Sequence, residues 1–233
     1  MRLKKSKRKG RQIVHDREAL IHAGELVRKR LEGNPNVYRL PTDKAEIFAL
    51  GEFMSESECQ RMCDLIDKVA KPSKAFTADY SSAYRTSYSG DVDPWDPFVQ
   101  KIQRRFDDVL GLPGAWGETI QGQRYLPGQE FKTHHDWFPQ EAEYWPHEEG
   151  MGGQRSYTAM VYLNPVEEGG ATEFTSVGIA VEPKQGVLLM WNNNNPDGSP
   201  NRSTIHAGRP VAAGAKYIIT KWYRSRPWGK SED

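Results

Sequence analysis

Beyond residue 113 the chain is cut into short runs of β-branched and aromatic residues separated by Gly and Pro, and this texture limits the fold more than any other feature. The runs fall at residues 119–125, 130–137, 156–163, 172–174, 179–181, 187–191 and 217–223. Several short strands at this spacing predict an all-β sandwich or barrel. Helices precede it. Ser55 and Glu58 form a capping box, and Cys59, Met62, Cys63, Ile66 and Val69 then recur at helical spacing, giving an apolar face that should pack on a sheet. A further helix over about 97–110 sets Phe98, Ile102, Phe106 and Val109 on one side. Residues 71–97, rich in Ser, Tyr, Asp and Pro, predict a long loop or irregular hairpin, which in a compact domain is often functional.

Residues 16–31 suggest a polar helix, broken by Gly33-Asn34-Pro35-Asn36. The chain therefore divides into a basic, polar extension over 1–40, helical or partly disordered, and one domain over 41–233. That domain has helical support over about 41–112 and a β core over about 113–228. With 233 residues the chain can bury a sizeable core without staples. The formal net charge of +1 advertises no general affinity for nucleic acid or anionic membrane. The exception is residues 1–11, which carry Arg2, Lys4, Lys5, Lys7, Arg8, Lys9 and Arg11 without an acid. A solvated tail or short basic helix explains them more simply than an RNA or membrane contact.

No apolar stretch approaches a membrane span, and the basic start is not followed by the apolar run of a secretory signal, so a cytoplasmic location is expected. Cys59 and Cys63, four apart on one helix face, read as buried free thiols, because a disulfide within a regular helix has poor geometry.

Chemistry first shows at Phe131-Lys132-Thr133-His134-His135-Asp136-Trp137. In a strand, residues two apart share a face, so His134 and Asp136 project together and His135 away. An imidazole and a carboxylate are two of the three ligands in the facial triad of iron(II) oxygenases. Alone, the tripeptide is as compatible with a hydrogen-bonding pair. Of the remaining histidines, His206 is the candidate third ligand. It follows an extended run at 203–205 and is closed by Gly208 and Pro210, so a neighbouring strand could bring it alongside. His147 lies in a charged, Gly-bounded segment and reads as a solvated loop residue; His15 and His22 lie in the polar extension and read as surface. Lys216 opens the apolar run Tyr217-Ile218-Ile219-Thr220. A lysine at the mouth of a buried strand either snorkels to solvent or meets a counter-charge, such as the far carboxylate of a dicarboxylic cosubstrate. Tyr125 and Thr172 could offer hydroxyls to the same group.

Three ordered blocks resemble the 2-oxoglutarate- and iron(II)-dependent dioxygenases, and within them the prolyl 4-hydroxylase-like branch. The first is Arg124-Tyr125-Leu126-Pro127-Gly128 through His134-His135-Asp136-Trp137-Phe138. The second runs from Gly153-Gln154-Arg155 through Tyr162-Leu163-Asn164 to Glu167-Glu168-Gly169-Gly170-Ala171-Thr172. The third is His206-Ala207-Gly208-Arg209-Pro210-Val211 with Lys216 and Trp222. The resemblance spans about residues 48–222.

It implies a double-stranded β-helix, a jelly roll or cupin-like core with packed helices. It implies Fe(II) on His134, Asp136 and His206, with 2-oxoglutarate and O₂ as cosubstrates, ascorbate as a reductant, and succinate and CO₂ as products. By the same resemblance Tyr125, Thr172 and Lys216 hold 2-oxoglutarate. Arg85-Thr86-Ser87 is similar to the family's Arg-Thr-Ser element over the substrate, which makes Arg85, Ser87, Arg155 and Trp222 substrate-facing. Asp136 argues for hydroxylation over halogenation, because related halogenases leave the carboxylate position vacant. The implied substrate is a prolyl residue in a peptide or protein. The same chemistry on a free amino acid or other small molecule, and a non-catalytic metal- or ligand-binding jelly roll, stand as alternatives. A structural zinc site is disfavoured because neither cysteine lies near the histidines. Two features depart from the family pattern: Arg224, where some relatives carry histidine, and the Trp- and Glu-rich segment 137–150.

Overall fold

The computed structural model describes residues 3–73 and 84–229, with backbone alone for residues 3–15. In chain order the elements are α1 (Leu3–Glu32), β1 (Val37–Arg39), β2 (Ile47–Leu50), α2 (Glu56–Val69), β3 (Lys71–Pro72) and β4 (Tyr88–Asp91). Next come α3 (Pro97–Leu110), β5 (Gln121–Tyr125), β6 (Phe131–His134), α4 (Trp145–Gly150), β7 (Arg155–Tyr162), β8 (Glu168–Gly169) and β9 (Thr172–Phe174). The chain closes with β10 (Ile179–Val181), β11 (Leu188–Asn192), β12 (His206–Gly208), β13 (Val211–Ala213) and β14 (Lys216–Arg224).

The helices form where local chemistry dictates. Ser55 caps α2 reciprocally with Glu58. Asp96 accepts from Phe98 and Val99 backbone N–H groups at the start of α3, Pro97 takes the first helical position, and Gly111 ends the helix at φ 70°, a left-handed conformation that suits glycine. Cys59 and Cys63 are buried free thiols.

Strand order in the major sheet is β1-β2-β11-β7-β14-β5-β4-β3, and in the minor sheet β10-β9-β12-β6; β8 and β13 form a separate pair. All eight residues of β7 are buried, because both faces of the major sheet are covered. The alternation of side chains sorts them. Tyr157, Ala159 and Val161 of β7, with Leu188, Met190, Ile219 and Tyr223, join the core formed with α1, α2 and α3. Met160 and Tyr162, with Leu189, Trp191 and Ile218, point the other way and meet Phe174 of the minor sheet. Each of the larger aliphatic and Phe side chains contributes about 1.5–3 kcal/mol by leaving water. Close approach is also specified: a Cβ on Gly122 in β5 would lie 2.3 Å from Ile66 Cγ1 of α2.

This is the helix-backed jelly roll expected from the sequence. It differs from expectation near its start. The polar helix of the extension carries a buried stripe, Leu20, Ala23, Val27 and Leu31, and docks on the major sheet. Residues 37–39 and 47–50, assigned no strands above, pair with each other, and β2 pairs with β11, so they widen that sheet. The irregular hairpin of 71–97 is present as β3 paired with β4. Residues 74–83 of that segment and the side chains of the basic cluster at 1–11 lie outside the described residues.

Candidate metal and cosubstrate site

Antiparallel pairing of β12 with β6 sets His206 directly opposite His134. Sequence reasoning placed Asp136 on the same strand as His134, but β6 ends at His134 and the chain bends after it. The bend has a geometric cause. Residues two apart on a straight strand are separated by about 6.6 Å and point in parallel, so their tips do not converge. Bending brings Asp136 Oδ1 to 3.8 Å from His134 Nε2, and Asp136 Oδ2 to 3.9 Å from His206 Nε2. The three donor atoms lie within 4.8 Å of one another. The stretch before His206 likewise departs from the expected extended run, since Arg202–Thr204 forms a 3₁₀ turn.

Both imidazoles are oriented by backbone carbonyls. His134 Nδ1 lies 2.8 Å from Lys132 O, and His206 Nδ1 lies 3.0 Å from Thr204 O. A proton on each Nδ1 satisfies those carbonyls and leaves each Nε2 lone pair facing Asp136, the tautomer a metal ligand requires. Burial, reinforced by His206 nearby, pushes His134 down to about 3 and keeps it neutral. Phe131 stacks on its ring at 3.6 Å between centroids. Burial alone would raise Asp136, but its setting beside His206, His134 and Arg155 and a hydrogen bond from Thr158 hold it below the usual carboxylate range. Two imidazole nitrogens and one ionised carboxylate on one side of a point fit a divalent iron with open positions.

The triad opens into a pocket between the sheets, with about 380 Å³ of empty space including its mouth. Tyr125, Thr172, Trp191, Lys216 and Trp222 line it. Lys216 Nζ donates to Gly170 O at 2.6 Å and lies 5.4 and 5.5 Å from the ring centres of Tyr125 and Tyr162. It is buried and makes no ion pair with a described residue, and burial pushes it down to about 7. A buried ammonium with one carbonyl for company suits a ligand carboxylate. Tyr125 donates its hydroxyl to Gln123 Oε1 at 2.7 Å.

The four residues read as substrate-facing fall in different settings. Trp222 lines the pocket, and its indole N–H is buried without an acceptor among the described residues. Arg155 lies over Trp222 with its guanidinium carbon 3.9 Å from the ring centre, while its Nε and Nη2 hold Glu118, both at 2.7 Å. Arg85 lies over Phe131 at 4.8 Å and donates to Gln121 and Ser87. Ser87 is buried, with its hydroxyl against Ser73 and Arg85. Glu118 and Thr158 escaped the sequence reading. Strict alternation along β7 would set Thr158 on the face opposite Arg155, and the register shift at the start of that strand hides their shared side from the sequence; nothing local marks Glu118.

Segment 137–153 forms a wall beside this site. Phe138 exchanges two backbone hydrogen bonds with the Gln154 amide, and its ring lies between the guanidiniums of Arg155 and Arg224 at 4.8 and 4.7 Å. Arg224 bonds Glu118 at 2.5 Å and Glu148 of α4 at 2.6 Å.

Residues 120–224 match the model of the 2OG-Fe(II) oxygenase superfamily. The chain is 30% identical over 215 residues to probable prolyl 4-hydroxylase 4 of Arabidopsis thaliana, covering 81% of this chain and 70% of that one. The chain belongs to the prolyl 4-hydroxylase family of 2-oxoglutarate/Fe(II) oxygenases. That membership implies Fe(II), 2-oxoglutarate and O₂. Family likeness extends to prolyl 4-hydroxylase subunit alpha-1 of Rattus norvegicus, 33% identical over 193 residues. These cover 79% of this chain, which spans about a third of that relative's length, 35%. Among solved family structures, the viral collagen prolyl hydroxylase of Paramecium Bursaria Chlorella virus-1, in its 2OG complex, superposes with a TM-score of 0.60. It is 25% identical, and the match covers 83% of this chain and 97% of that one.

Proposed function

We propose that this chain is a 2-oxoglutarate-dependent hydroxylase acting on prolyl residues of a peptide or protein. The observation that carries the reading is the convergence of His134, Asp136 and His206 on one pocket that also holds the buried Lys216. When bound, Fe(II) supplies activation of O₂, coupled to oxidative decarboxylation of 2-oxoglutarate to succinate and CO₂. The chain's own contribution is positioning and a shielded pocket. His134 and His206 present Nε2, and Asp136 presents carboxylate oxygens. Lys216 takes the far carboxylate of 2-oxoglutarate, with Thr172 and Tyr125 beside it, and Met160, Ile218 and Trp191 keep bulk water from the cavity.

The substrate assignment draws on the names of the relatives and on the aromatic rings of Trp222 and Phe131 in the pocket lining, which suit a proline ring. Arg85, Ser87, Arg155 and Trp222 form the substrate side in this reading, with Arg155 held in place by Glu118. Ascorbate serves as the reductant that recovers oxidised iron, and a reducing cytoplasmic setting accords with the two unpaired thiols of α2. No helix among the described residues is long and apolar enough to cross a membrane.

The test is succinate formation by anaerobically iron-loaded protein given 2-oxoglutarate and air, with and without proline-rich peptides. Peptide-stimulated succinate, lost in both His134→Ala and Asp136→Ala, is the expected result. Succinate no higher than in those variants, with metal bound and peptides added, would overturn the reading in favour of a non-catalytic ligand-binding jelly roll.

A further inference from the structure

The asparagine run 192–195 reads from sequence as a plain loop. In the fold its first three members divide their work between two sides of the sheet. Asn192 Nδ2 donates to Glu46 Oε2 at 3.0 Å, on the side of α1, where Arg28 pairs with Glu46 at 2.6 Å. Asn194 Nδ2 reaches Leu20 O of α1 at 3.4 Å. Asn193, between them, turns toward the triad. Its Nδ2 donates to Thr158 Oγ1 at 2.9 Å, and Thr158 in turn donates to Asp136 Oδ2 at 2.7 Å.

The order of this relay is fixed by valence. A carboxylate oxygen only accepts, so the single hydroxyl proton of Thr158 goes to Asp136. Thr158 Oγ1 then offers lone pairs alone and requires a donor, which fixes the Asn193 amide with nitrogen toward Thr158. Asn193 Oδ1 is left buried without a partner among the described residues. The alternative amide orientation would set oxygen against oxygen at 2.9 Å. Asn193 is itself held by its backbone, with its N–H on Ser156 O at 2.8 Å and its carbonyl accepting from Asn201 N–H at 3.0 Å. Asn193 and Thr158 are fully buried, and no solvent competes for these bonds.

Asp136 needs this support because it lies beyond the end of β6, on a bend, without a strand ladder to fix its backbone. The two histidines take their orientation from carbonyls two residues upstream. Asp136 takes its orientation from strands elsewhere in the chain.

We infer that Asn193 and Thr158 act together as positioning residues, holding the Asp136 carboxylate in the plane from which it can ligate the metal. The inference rests on the triad being a metal site, as argued above. Asn193 lies outside the pocket lining, so its effect passes through Thr158 and Asp136. Partners of this kind are worth about ten- to hundredfold in metal affinity.

The experiment titrates Mn(II) alone into the full-length apoprotein and counts free Mn(II) by electron paramagnetic resonance, with the d–d spectrum of the Co(II) form as second readout. Wild type, Thr158→Val, Thr158→Ser and Asn193→Asp are compared. Thr158→Val and Asn193→Asp should each weaken Mn(II) binding by about tenfold or more and shift the Co(II) bands. Thr158→Ser, which keeps the hydroxyl, should stay closer to wild type than to Thr158→Val in both readouts. Weakening of less than tenfold in both disruptive variants, with unchanged bands, overturns the inference. If Thr158→Val does not fold, Asn193→Asp decides by the same criterion. Failure of wild type to bind Mn(II) would instead overturn the metal-site reading itself.

Discussion

Arg155 is held between Trp222, whose ring its guanidinium covers, and Glu118, which it grips with two parallel bonds. Arg224 closes on the same carboxylate from the end of β14 and continues to Glu148, so four buried charges alternate in sign between the pocket and α4. The arrangement turns a surface-type ion pair into a wall.

Glu118→Gln should therefore destabilise the protein by about 3–5 kcal/mol at neutral pH, because two buried guanidiniums lose their shared counter-charge. Burial alone would raise Glu118, but the charges and hydrogen bonds of Arg155 and Arg224 hold it below the ordinary carboxylate value. A carboxylate depressed in the fold adds stability above its unfolded value, near 4.5, and that contribution fades as pH falls through the folded value. The gap between wild type and Glu118→Gln in urea unfolding should accordingly be full at pH 7 and shrink in acid. A gap that does not change with pH would show that Glu118 acts through shape and not charge.

Lys216 carries a different pH signature. Burial sets the free site's lysine at about 7, whereas a bound carboxylate stabilises its charged form. Above pH 7, binding of 2-oxoglutarate must take up a proton, so affinity should fall by up to about tenfold per pH unit, with a plateau below pH 7. Calorimetry on the Mn(II)-loaded protein under anaerobic conditions, in buffers of differing ionisation heat, measures both the affinity and the proton. Lys216→Ala should lose about 1.5–3 kcal/mol of binding and the pH dependence with it. Affinity that is flat from pH 6 to 9 in wild type would rule out this role.

The stripe on α1 predicts a contrast within one helix. Leu31 is 1% exposed and Leu26 is 39% exposed. Leu31→Ala should cost about 2–5 kcal/mol, as for other buried leucines, and Leu26→Ala no more than about 0.5 kcal/mol. Equal effects in thermal or urea unfolding would mean that α1 does not dock in solution.

Where the sequence was legible, periodicity and local chemistry coincided. The capping box of Ser55 and Glu58 located α2, the spacing of Phe98, Ile102, Phe106 and Val109 located α3, and the spacing of His134 and Asp136 pointed to a shared site. Illegible features depended on distant partners. Leu20, Ala23, Val27 and Leu31 make a narrow stripe, and the charged residues around them give the helix a polar average. Strand β1, three residues including Tyr38 and Arg39, carries no alternation long enough to register. The bend that turns Asp136 inward, and the bonds it receives through Thr158, come from strands assembled only in the fold. Glu118 lies 37 residues from Arg155 in sequence, with no motif joining them.

The contacts of α1 have a consequence for the order of assembly. Ser225 bonds Asp16 across 209 residues, and Asn194 bonds Leu20 across 174. Synthesis completes α1 long before the strands that cover its apolar stripe exist, and closing loops of this length is a slow step. The nascent chain thus carries α1 for some time before β7, on which it packs, has been made. During that interval the stripe is open to chaperones or to other unfinished chains.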